Sequence, residues 1–155
     1  MLDIIHAEVA DAEKIIQLQR LAYQSEAKRY NDWSLPALTQ TVESLQTEFA
    51  QKIILKAVEG GEIVGSVRAF MQQDICNIGR LIVHPQHQRQ GIGSQLLRSV
   101  EILHRHARMF ELFTGSKSLD NIRLYQKHGY TISHHQQLSP SVELVFLQKT
   151  AQERP

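Results

Sequence analysis

The segment Gln-Arg-Gln-Gly-Ile-Gly at residues 88–93 has the residue types of an anion-binding turn. It follows an apolar run at 75–83 and leads directly into a helical pattern. Gly91 and Gly93 let backbone N–H groups approach an anion closely, and the N-terminus of the next helix adds about half a positive charge. Arg89 adds a full charge beside them. The segment therefore predicts a site for a phosphate or another small anion.

Two well-known phosphate loops do not fit this stretch. The dinucleotide fingerprint G-x-G-x-x-G needs a third glycine where this chain has Leu96. The nucleoside-triphosphate loop needs a lysine after its glycine, and here Gly93 is followed by Ser94. Two interpretations stay open, an anion site of another kind and a glycine-rich turn that binds nothing.

A second group of polar residues lies on a predicted helix over 118–128. Ser118, Asn121, Tyr125 and His128 recur at helical spacing, so they share one face. A tyrosine on such a face can donate or accept a hydrogen bond through its phenol and so take part in binding or catalysis. The alternative is a half-buried tyrosine whose hydroxyl is bonded to a neighbour.

The hydrophobic patterns predict the elements that must position these residues. Strands are predicted at 2–7, on both sides of Gly60-Gly61, and at 75–83, 109–115, 130–134 and 142–148; helices are predicted from Asp11, after Pro36, from about residue 92 and over 118–128. Gly79 indicates a bulge inside its strand. This alternation predicts one mixed α/β domain at 1–149, followed by a polar tail at 150–155.

Composition and charge exclude several classes of protein. A net charge of +1 over 155 residues argues against a dedicated nucleic-acid binder, although Arg89, Arg98, Arg105 and Arg108 cluster in one region. Cys76 is the only cysteine, so no internal disulfide can form. The eight histidines match no metal-binding motif. Because no leader or membrane-spanning pattern is apparent, we expect a cytoplasmic protein without a metal or a membrane partner.

Together the two polar motifs resemble those of the GNAT acetyltransferase superfamily. The segment LIVHPQHQRQGIGSQLL (81–97) is similar to its acetyl-CoA motif, a strand followed by Gln/Arg-x-x-Gly-x-Gly/Ala and a helix. The segment NIRLYQKHGY (121–130) is similar to a later motif, in which Leu-Tyr precedes a glycine and an aromatic residue. The element order resembles the family over nearly the whole chain. One departure is Ser118, where many members have asparagine.

The resemblance implies a mostly antiparallel sheet whose two central strands, here 75–83 and 109–115, splay apart around the pantetheine arm of acetyl-CoA. The backbone of Leu81, Ile82 and Val83 would pair with that arm. The pyrophosphate would be bound by Gln88, Arg89, Gln90, Gly91, Ile92, Gly93 and Ser94. Asn121 would contact the co-substrate, and Tyr125 would lie beside its sulfur as the proton donor.

The activity that the resemblance implies is N-acetylation. An acetyl group would move from acetyl-CoA to a primary amine of a small molecule, by direct attack in a ternary complex. Two alternatives stay open: a protein or peptide acetyltransferase acting on lysine or an N-terminus, and a non-catalytic acyl-CoA-binding module. Retention of Tyr125 together with the intact glycine loop favours an enzyme.

The acceptor is expected to enter past the connection between the first two helices, residues 25–36. Tyr30 and Trp33 offer aromatic faces to a cation, and Glu26 and Asp32 offer countercharges, which favours a small cationic amine. Lys28 and Arg29 in the same stretch would suit a carboxylate, so an amino acid or its amide is the alternative. A loop without any binding role also stays open.

The general base is not identified by the sequence. No acidic residue occurs in 75–83, and Asp74, Glu111 and Glu143 are candidates, as is a chain of water molecules. The run at 142–148 is a candidate edge strand, through which we expect a homodimer.

Overall fold

Seven strands form one sheet within residues 1–151, the part of the chain that the computed structural model describes. The strands are β1 (Leu2–His6), β2 (Ile53–Glu59), β3 (Glu62–Gln72), β4 (Ile75–Val83), β5 (Met109–Gly115), β6 (Thr131–Gln137) and β7 (Glu143–Thr150). Their order across the sheet is β1-β2-β3-β4-β5-β7-β6. Only β4 and β5 pair in parallel. The predicted mixed, mostly antiparallel α/β fold is confirmed.

Helices cover both faces of this sheet. They are α1 (Ala12–Ala22), α2 (Gln24–Tyr30), α3 (Pro36–Thr39), α4 (Val42–Glu48), α5 (Ile92–Leu103) and α6 (Leu119–Lys127). On one face, Ile15 of α1 and Leu45 of α4 pack against Ile54 of β2. On the other face, Leu96 of α5 is buried in the main core. Within residues 1–151, no helix is long and apolar enough to cross a membrane.

The helices after α1 differ from the prediction. The single helix expected after Pro36 is divided, because Gln40 adopts an extended backbone (ψ 135°) between α3 and α4. The Thr41 side chain then caps α4 by accepting a hydrogen bond from the Ser44 N–H at 3.1 Å. In addition, α2 lies in a stretch that was expected to be partly loop. Ala27 and Tyr30 of this helix are buried in a hydrophobic cluster of their own, separate from the main core.

The predicted splay of the two central strands is confirmed. β4 and β5 pair only from Ile75↔Met109 to Asn77↔Glu111. Beyond Asn77, β4 continues to pair with β3 on its other edge, while β5 pairs with β7. The edge of β4 from residue 78 to 83 therefore faces a gap instead of a neighbouring strand. Its backbone N–H and C=O groups on that side are available to a ligand.

A bulge interrupts the part of β4 that faces this gap. It lies next to Gly79, the residue that predicted it. The register with β3 shifts between Ser66↔Ile82 and Arg68↔Gly79. The residue with left-handed backbone is Arg80 (φ +50°), not Gly79. A non-glycine residue with positive φ is uncommon and is often found at functional sites.

The prediction that residues 142–148 form a sheet edge is wrong. β7 pairs with β5 on one side and β6 on the other, so β6 is the edge strand, and all seven of its residues are exposed. Residues 142–148 therefore have no free strand edge through which the expected dimer contact could form. β7 ends at Thr150, within the predicted tail, and residues 152–155 of that tail lie outside the described residues.

Candidate active site

A groove of about 580 Å³, here called the loop groove, lies between the end of β4, the glycine loop and α6. Ten of the residues predicted to bind the co-substrate line it: Leu81, Ile82, Val83, Gln88, Arg89, Gly91, Ile92, Gly93, Ser94 and Asn121. Gln90 and Tyr125, the other two predicted residues, are not among its lining residues. Two segments that are distant in sequence thus form one surface, as the paired motifs predicted.

The glycine loop presents backbone N–H groups to this groove. Within residues 1–151, no backbone carbonyl accepts a hydrogen bond from the N–H groups of residues 88–94, and no side chain caps α5. The first such bond runs from the Gln95 N–H to the Gly91 carbonyl at 3.0 Å. Arg89 (φ +65°) and Gly91 (φ +83°) both have left-handed backbone, which makes a loop concave toward an anion. These donors fit a pyrophosphate.

Charged side chains around the loop groove come from three segments. Of the four clustered arginines, only Arg89 lines it. Arg29 of α2 and Lys127 of α6 add two more cationic groups, against the carboxylates of Glu26 and Asp120. Arg29 and Lys127 were not predicted to contribute here, because α2 and α6 reach the groove only in the folded chain.

The polar residues on one face of α6 and at its two ends form hydrogen bonds with other elements of the site. His128 forms a hydrogen bond with the Ser94 hydroxyl at 2.9 Å, and burial lowers the pKa of this histidine. The Asn121 amide donates to Thr114 of β5 at 3.3 Å. The Ser118 hydroxyl, at the N-terminal end of this face, donates to Glu26 at 2.5 Å. This face therefore positions residues from α5, β5 and α2.

A second space of about 230 Å³, here called the central cavity, lies in the gap between β4 and β5. It shares Tyr23, Glu26, Leu81 and Asn121 with the loop groove, so the two spaces adjoin. Most of its wall is apolar, with Leu35, Leu138, Val142 and Leu144 among the lining residues. A molecule in the groove and another in the cavity would therefore meet between the splayed strands.

Tyr125 lies in the wall of the central cavity. Its side chain is 5% exposed, and burial raises its pKa above the ordinary value of 10.0, with Tyr23 and Glu26 acting in the same direction. The phenol is consequently protonated at neutral pH and available as a proton donor. Three polar residues of its lining, Tyr23, Glu26 and Asn121, also line the loop groove.

A model of the acetyltransferase (GNAT) family matches residues 12–130 of the chain. The chain belongs to the GNAT acetyltransferase family. The match includes both polar motifs and every strand that forms the gap. The resemblance that the motifs predicted is confirmed.

The fold of this GNAT chain resembles those of solved acetyltransferase structures. Its structure resembles the GNAT acetyltransferase of Streptococcus pneumoniae (20% identity, TM-score 0.79), covering 98% of this chain and 100% of that one. It also resembles the PaiA N-acetyltransferase of Thermoplasma acidophilum, solved in complex with coenzyme A (16% identity, TM-score 0.79, 97% and 99% covered). The protein YqkA of Bacillus subtilis is 27% identical over 81% of this chain, which spans only 36% of YqkA.

The predicted acceptor residues do not all lie at the central cavity of this GNAT fold. Glu26 lines both the loop groove and the central cavity. Tyr30 lines the cavity, but its hydroxyl accepts a hydrogen bond from the Lys117 N–H at 2.7 Å, and the Lys117 ammonium lies 5.4 Å from its ring centre. Trp33 is 54% exposed and is not among the lining residues. The structure thus brings Glu26 and Tyr30 together at the cavity and leaves Trp33 outside.

None of the three candidate bases lines the central cavity. Asp74 is exposed in the turn between β3 and β4, and the Glu143 side chain is 44% exposed beside His135. Glu111 accepts a hydrogen bond from Gln148 at 2.7 Å and lines a third space described below. The carboxylate that lines both the groove and the cavity is Glu26.

Two lining residues of the central cavity were not predicted from the sequence. Tyr23, at the end of α1, lines both the loop groove and the central cavity. Arg80 lines the cavity from the bulge in β4. Neither belongs to a motif; the positive φ of Arg80 is invisible in the sequence, and Gly79 was the only signal beside it.

Proposed function

We propose that this protein transfers the acetyl group of acetyl-CoA to a primary amine of a small molecule by direct attack. The observation that supports this most strongly is the junction of the loop groove and the central cavity in the gap between β4 and β5. The groove suits the co-substrate and the cavity suits the acceptor, so both could be bound at once. Attack in a ternary complex needs this arrangement.

The groups that would hold acetyl-CoA are those of the loop groove. The free N–H groups of residues 88–94 and the Arg89 side chain would bind the pyrophosphate. The unpaired edge of β4 at Leu81–Val83 would hydrogen-bond the pantetheine arm as though it were a strand. When bound, acetyl-CoA supplies an activated thioester.

Residues of the chain would carry out the two proton transfers of the reaction, from the ammonium and to the departing thiolate. An alkylammonium with a pKa of about 10.4 must lose its proton, which costs about 4.6 kcal/mol at pH 7. Glu26 lies where it can attract that ammonium and pass its proton on through water. Tyr125 holds a proton at the wall of the cavity, where it could protonate the departing thiolate.

A covalent acetyl-cysteine route is disfavoured by Cys76. This residue is fully buried, and burial together with Glu101 raises its pKa to about 12. A nucleophilic cysteine must be accessible and ionised, and Cys76 is neither. Because Cys76 is the single cysteine of this sequence, no other cysteine could form the acetyl-cysteine. Direct attack by the amine is therefore the favoured route.

The walls of the central cavity favour a small acceptor over a protein. The Ser141 hydroxyl, between β6 and β7, donates a hydrogen bond at 2.8 Å to Asp32, between α2 and α3. Asp32 is further bonded to the backbone N–H and hydroxyl of Ser34. These bonds hold the two loops together beside a cavity of about 230 Å³. Joined loops beside so small a cavity favour a small acceptor.

Release of coenzyme A, followed with a thiol reagent, tests this function. Acetyl-CoA is presented with pooled small amines and, separately, with lysine-containing and free N-terminal peptides. Turnover confined to the small-amine pools supports the proposal, and turnover confined to the peptides supports the protein acetyltransferase. Acetyl-CoA binding without turnover in any pool supports the non-catalytic module.

Gly93→Val should abolish the rise in melting temperature that acetyl-CoA gives, while the protein still unfolds cooperatively. A Cβ at this position would lie 3.4 Å from Leu124 and 3.8 Å from Val83, so the branched side chain must project beside the glycine loop. At a ligand concentration of 100 Kd, binding stabilises the wild type by about 2.7 kcal/mol, or roughly 5–10 °C.

Gln95→Val is the matched control for this variant, because it places the same β-branched residue in the same turn of α5 but on the exposed face. It should melt slightly below the wild type and keep the full shift with acetyl-CoA. An undiminished shift in Gly93→Val would mean that the pyrophosphate binds away from this loop.

Gly79→Ala should raise the KM for the acceptor roughly tenfold without lowering the melting temperature. A Cβ at Gly79 would meet no atom within 4 Å and would project into open space that borders the central cavity. Gly65→Ala is the contrasting variant, since its Cβ would lie 3.0 Å from the Ile82 carbonyl and from Leu96. It should destabilise the fold by about 1–3 kcal/mol. An unchanged acceptor KM in Gly79→Ala would place the acceptor elsewhere.

A further inference from the structure

A third space of about 300 Å³, here called the side cavity, continues from the central cavity along β4. The two share Tyr23, Ile78, Gly79, Arg80 and Phe113. Arg80 therefore stands at their boundary. Its side chain is the cationic group that both spaces have in common.

The carboxylates around Arg80 already have partners. Glu48 pairs with Arg68 at 3.1 Å and with Lys52 at 2.9 Å. Glu111 accepts a hydrogen bond from Gln148, and Glu26 accepts from Arg29 at 2.7 Å. These are the carboxylates that line the two cavities.

Arg80, in contrast, forms no ion pair with any carboxylate in residues 1–151. Its Nε atom is buried without a hydrogen-bond partner, and so is that of Arg68, which is 3% exposed. The guanidinium lies beside the Tyr23 phenol, where its charge opposes the rise in the Tyr23 pKa that burial causes. A guanidinium in a cavity wall without a countercharge is suited to an anionic ligand.

The backbone at Arg80 adds a second, independent observation. Its φ of +50° is unfavourable for an arginine, and the bulge that creates it places this side chain in the wall of both cavities. Residues with such backbone persist where the surrounding structure enforces them and are concentrated at ligand sites. Glycine or asparagine would adopt this conformation more easily.

We infer that the acceptor carries a carboxylate as well as its amine, and that Arg80 binds this carboxylate. The inference rests on the proposed function and narrows its substrate class to amino acids. Glu26 and Arg80 both line the central cavity, one toward the loop groove and the other toward the side cavity. An ammonium that shares the Glu26 carboxylate with Arg29 and a carboxylate at Arg80 would match both charges of a zwitterion. The apolar wall would receive a nonpolar side chain.

The test compares L-leucine with L-leucinamide and 3-methylbutylamine, which keep the amine and side chain but lack the carboxylate. The same comparison is extended to other amino acids and their amides. The wild type should prefer the carboxylate form by about tenfold or more in kcat/KM for the best acceptor. Arg80→Asn, which tolerates the left-handed backbone, should lower kcat/KM for that amino acid about 10–100-fold and leave its amide nearly unchanged.

Arg105→Asn, at an exposed arginine in the turn after α5, is the matched control and should change neither value. If Arg80→Asn does not fold, Arg80→Gly removes the side chain and relieves the positive φ. A wild type that accepts the amide as well as the amino acid, or an Arg80 variant that impairs both equally, would overturn the inference.

Binding of reaction products separates this inference from the proposed function. N-acetyl-leucine and N-acetyl-leucinamide are compared by thermal shift in the presence of coenzyme A. If no amine is acetylated but N-acetyl-leucine binds in an Arg80-dependent manner, the proposed function fails and the carboxylate site stands. If neither product binds while leucine and its amide are acetylated equally, the carboxylate site fails and the proposed function stands.

Discussion

Replacement of Tyr125 by phenylalanine is expected to lower kcat roughly 10–10³-fold and to leave the KM for acetyl-CoA nearly unchanged. Phenylalanine keeps the ring that packs near Tyr130, whose ring centre lies 6.1 Å away. It removes only the hydroxyl, for which the structure gives no hydrogen-bond partner within residues 1–151. The loss would therefore fall on proton donation and not on folding.

Tyr130→Phe provides the matched control, because it should lower the stability of the fold and leave kcat unchanged. Tyr130 is 1% exposed, and its hydroxyl donates to Glu101 at 2.8 Å. It lines neither the loop groove nor the central cavity. Loss of a hydrogen bond to a charged group should cost about 1.5–3 kcal/mol of stability and leave kcat unchanged.

The pH dependence gives a further check on the role of Tyr125. Burial raises the pKa of this phenol above its ordinary value of 10.0, so it stays protonated as the pH rises through 9. A decline of kcat between pH 8 and 9 should therefore not be attributed to its ionisation. Wild-type kcat in Tyr125→Phe, when the absence of a pre-steady-state burst shows that product release does not limit the rate, would remove Tyr125 from the mechanism.

The co-substrate side of the site could be predicted from the sequence because its signals are local. The strand at 75–83, the glycines at 91 and 93 and the start of α5 follow one another directly, and each constrains the next. Gly91 indeed adopts positive φ, as a glycine in such a loop can. Tyr125 was predicted from the regular polar spacing of its helix, and it lines the central cavity instead of the loop groove.

The acceptor side could not be predicted in the same way, because it is assembled from separate segments. Tyr23, Glu26 and Arg80 come from α1, α2 and a bulge in β4, and no periodic pattern connects them. Trp33 was the most conspicuous aromatic residue nearby, yet it is 54% exposed and does not line the cavity. An aromatic residue in a loop indicates neither its orientation nor its partners.

The position of β7 shows a signal that was present in the sequence and overlooked. Residues 143–150 read Glu-Leu-Val-Phe-Leu-Gln-Lys-Thr, whereas 131–137 read Thr-Ile-Ser-His-His-Gln-Gln. An interior strand is buried on both faces and an edge strand tolerates polar residues. This contrast favours β7 as the interior strand, against the chain order that suggested an edge.

Replacement of Glu48 by alanine should destabilise the fold by about 3–5 kcal/mol at pH 7, because it leaves a buried charge without its partner. Arg68, from the middle of β3, is 3% exposed and donates to both Glu48 oxygens at 3.1–3.2 Å. It also donates to Gln19 of α1 at 2.5 Å. This network fixes α1 and α4 on the sheet, and α1 carries Tyr23 to the site.

The effect of Glu48→Ala should disappear in acid. Burial alone would raise the pKa of Glu48, but its hydrogen bond with Lys52 and the charge of Arg68 outweigh burial, so its pKa lies below the ordinary 4.5. A lowered folded-state pKa means that the ionised carboxylate stabilises the fold above pH 4.5. That contribution is lost as the pH falls through the folded-state value.

Urea unfolding at pH 7 and at successively lower pH values would measure both effects, with Glu43→Ala as the matched control. Glu43 is exposed in the same helix and should change stability by less than about 1 kcal/mol at any pH. The stability difference between Glu48→Ala and the wild type should shrink as the pH falls below 4.5. A difference that persists undiminished in acid would mean that Glu48 stabilises the protein by packing and not by its charge. In that case Arg68 would have to be held by Gln19 and Gln40, which also accept its hydrogen bonds.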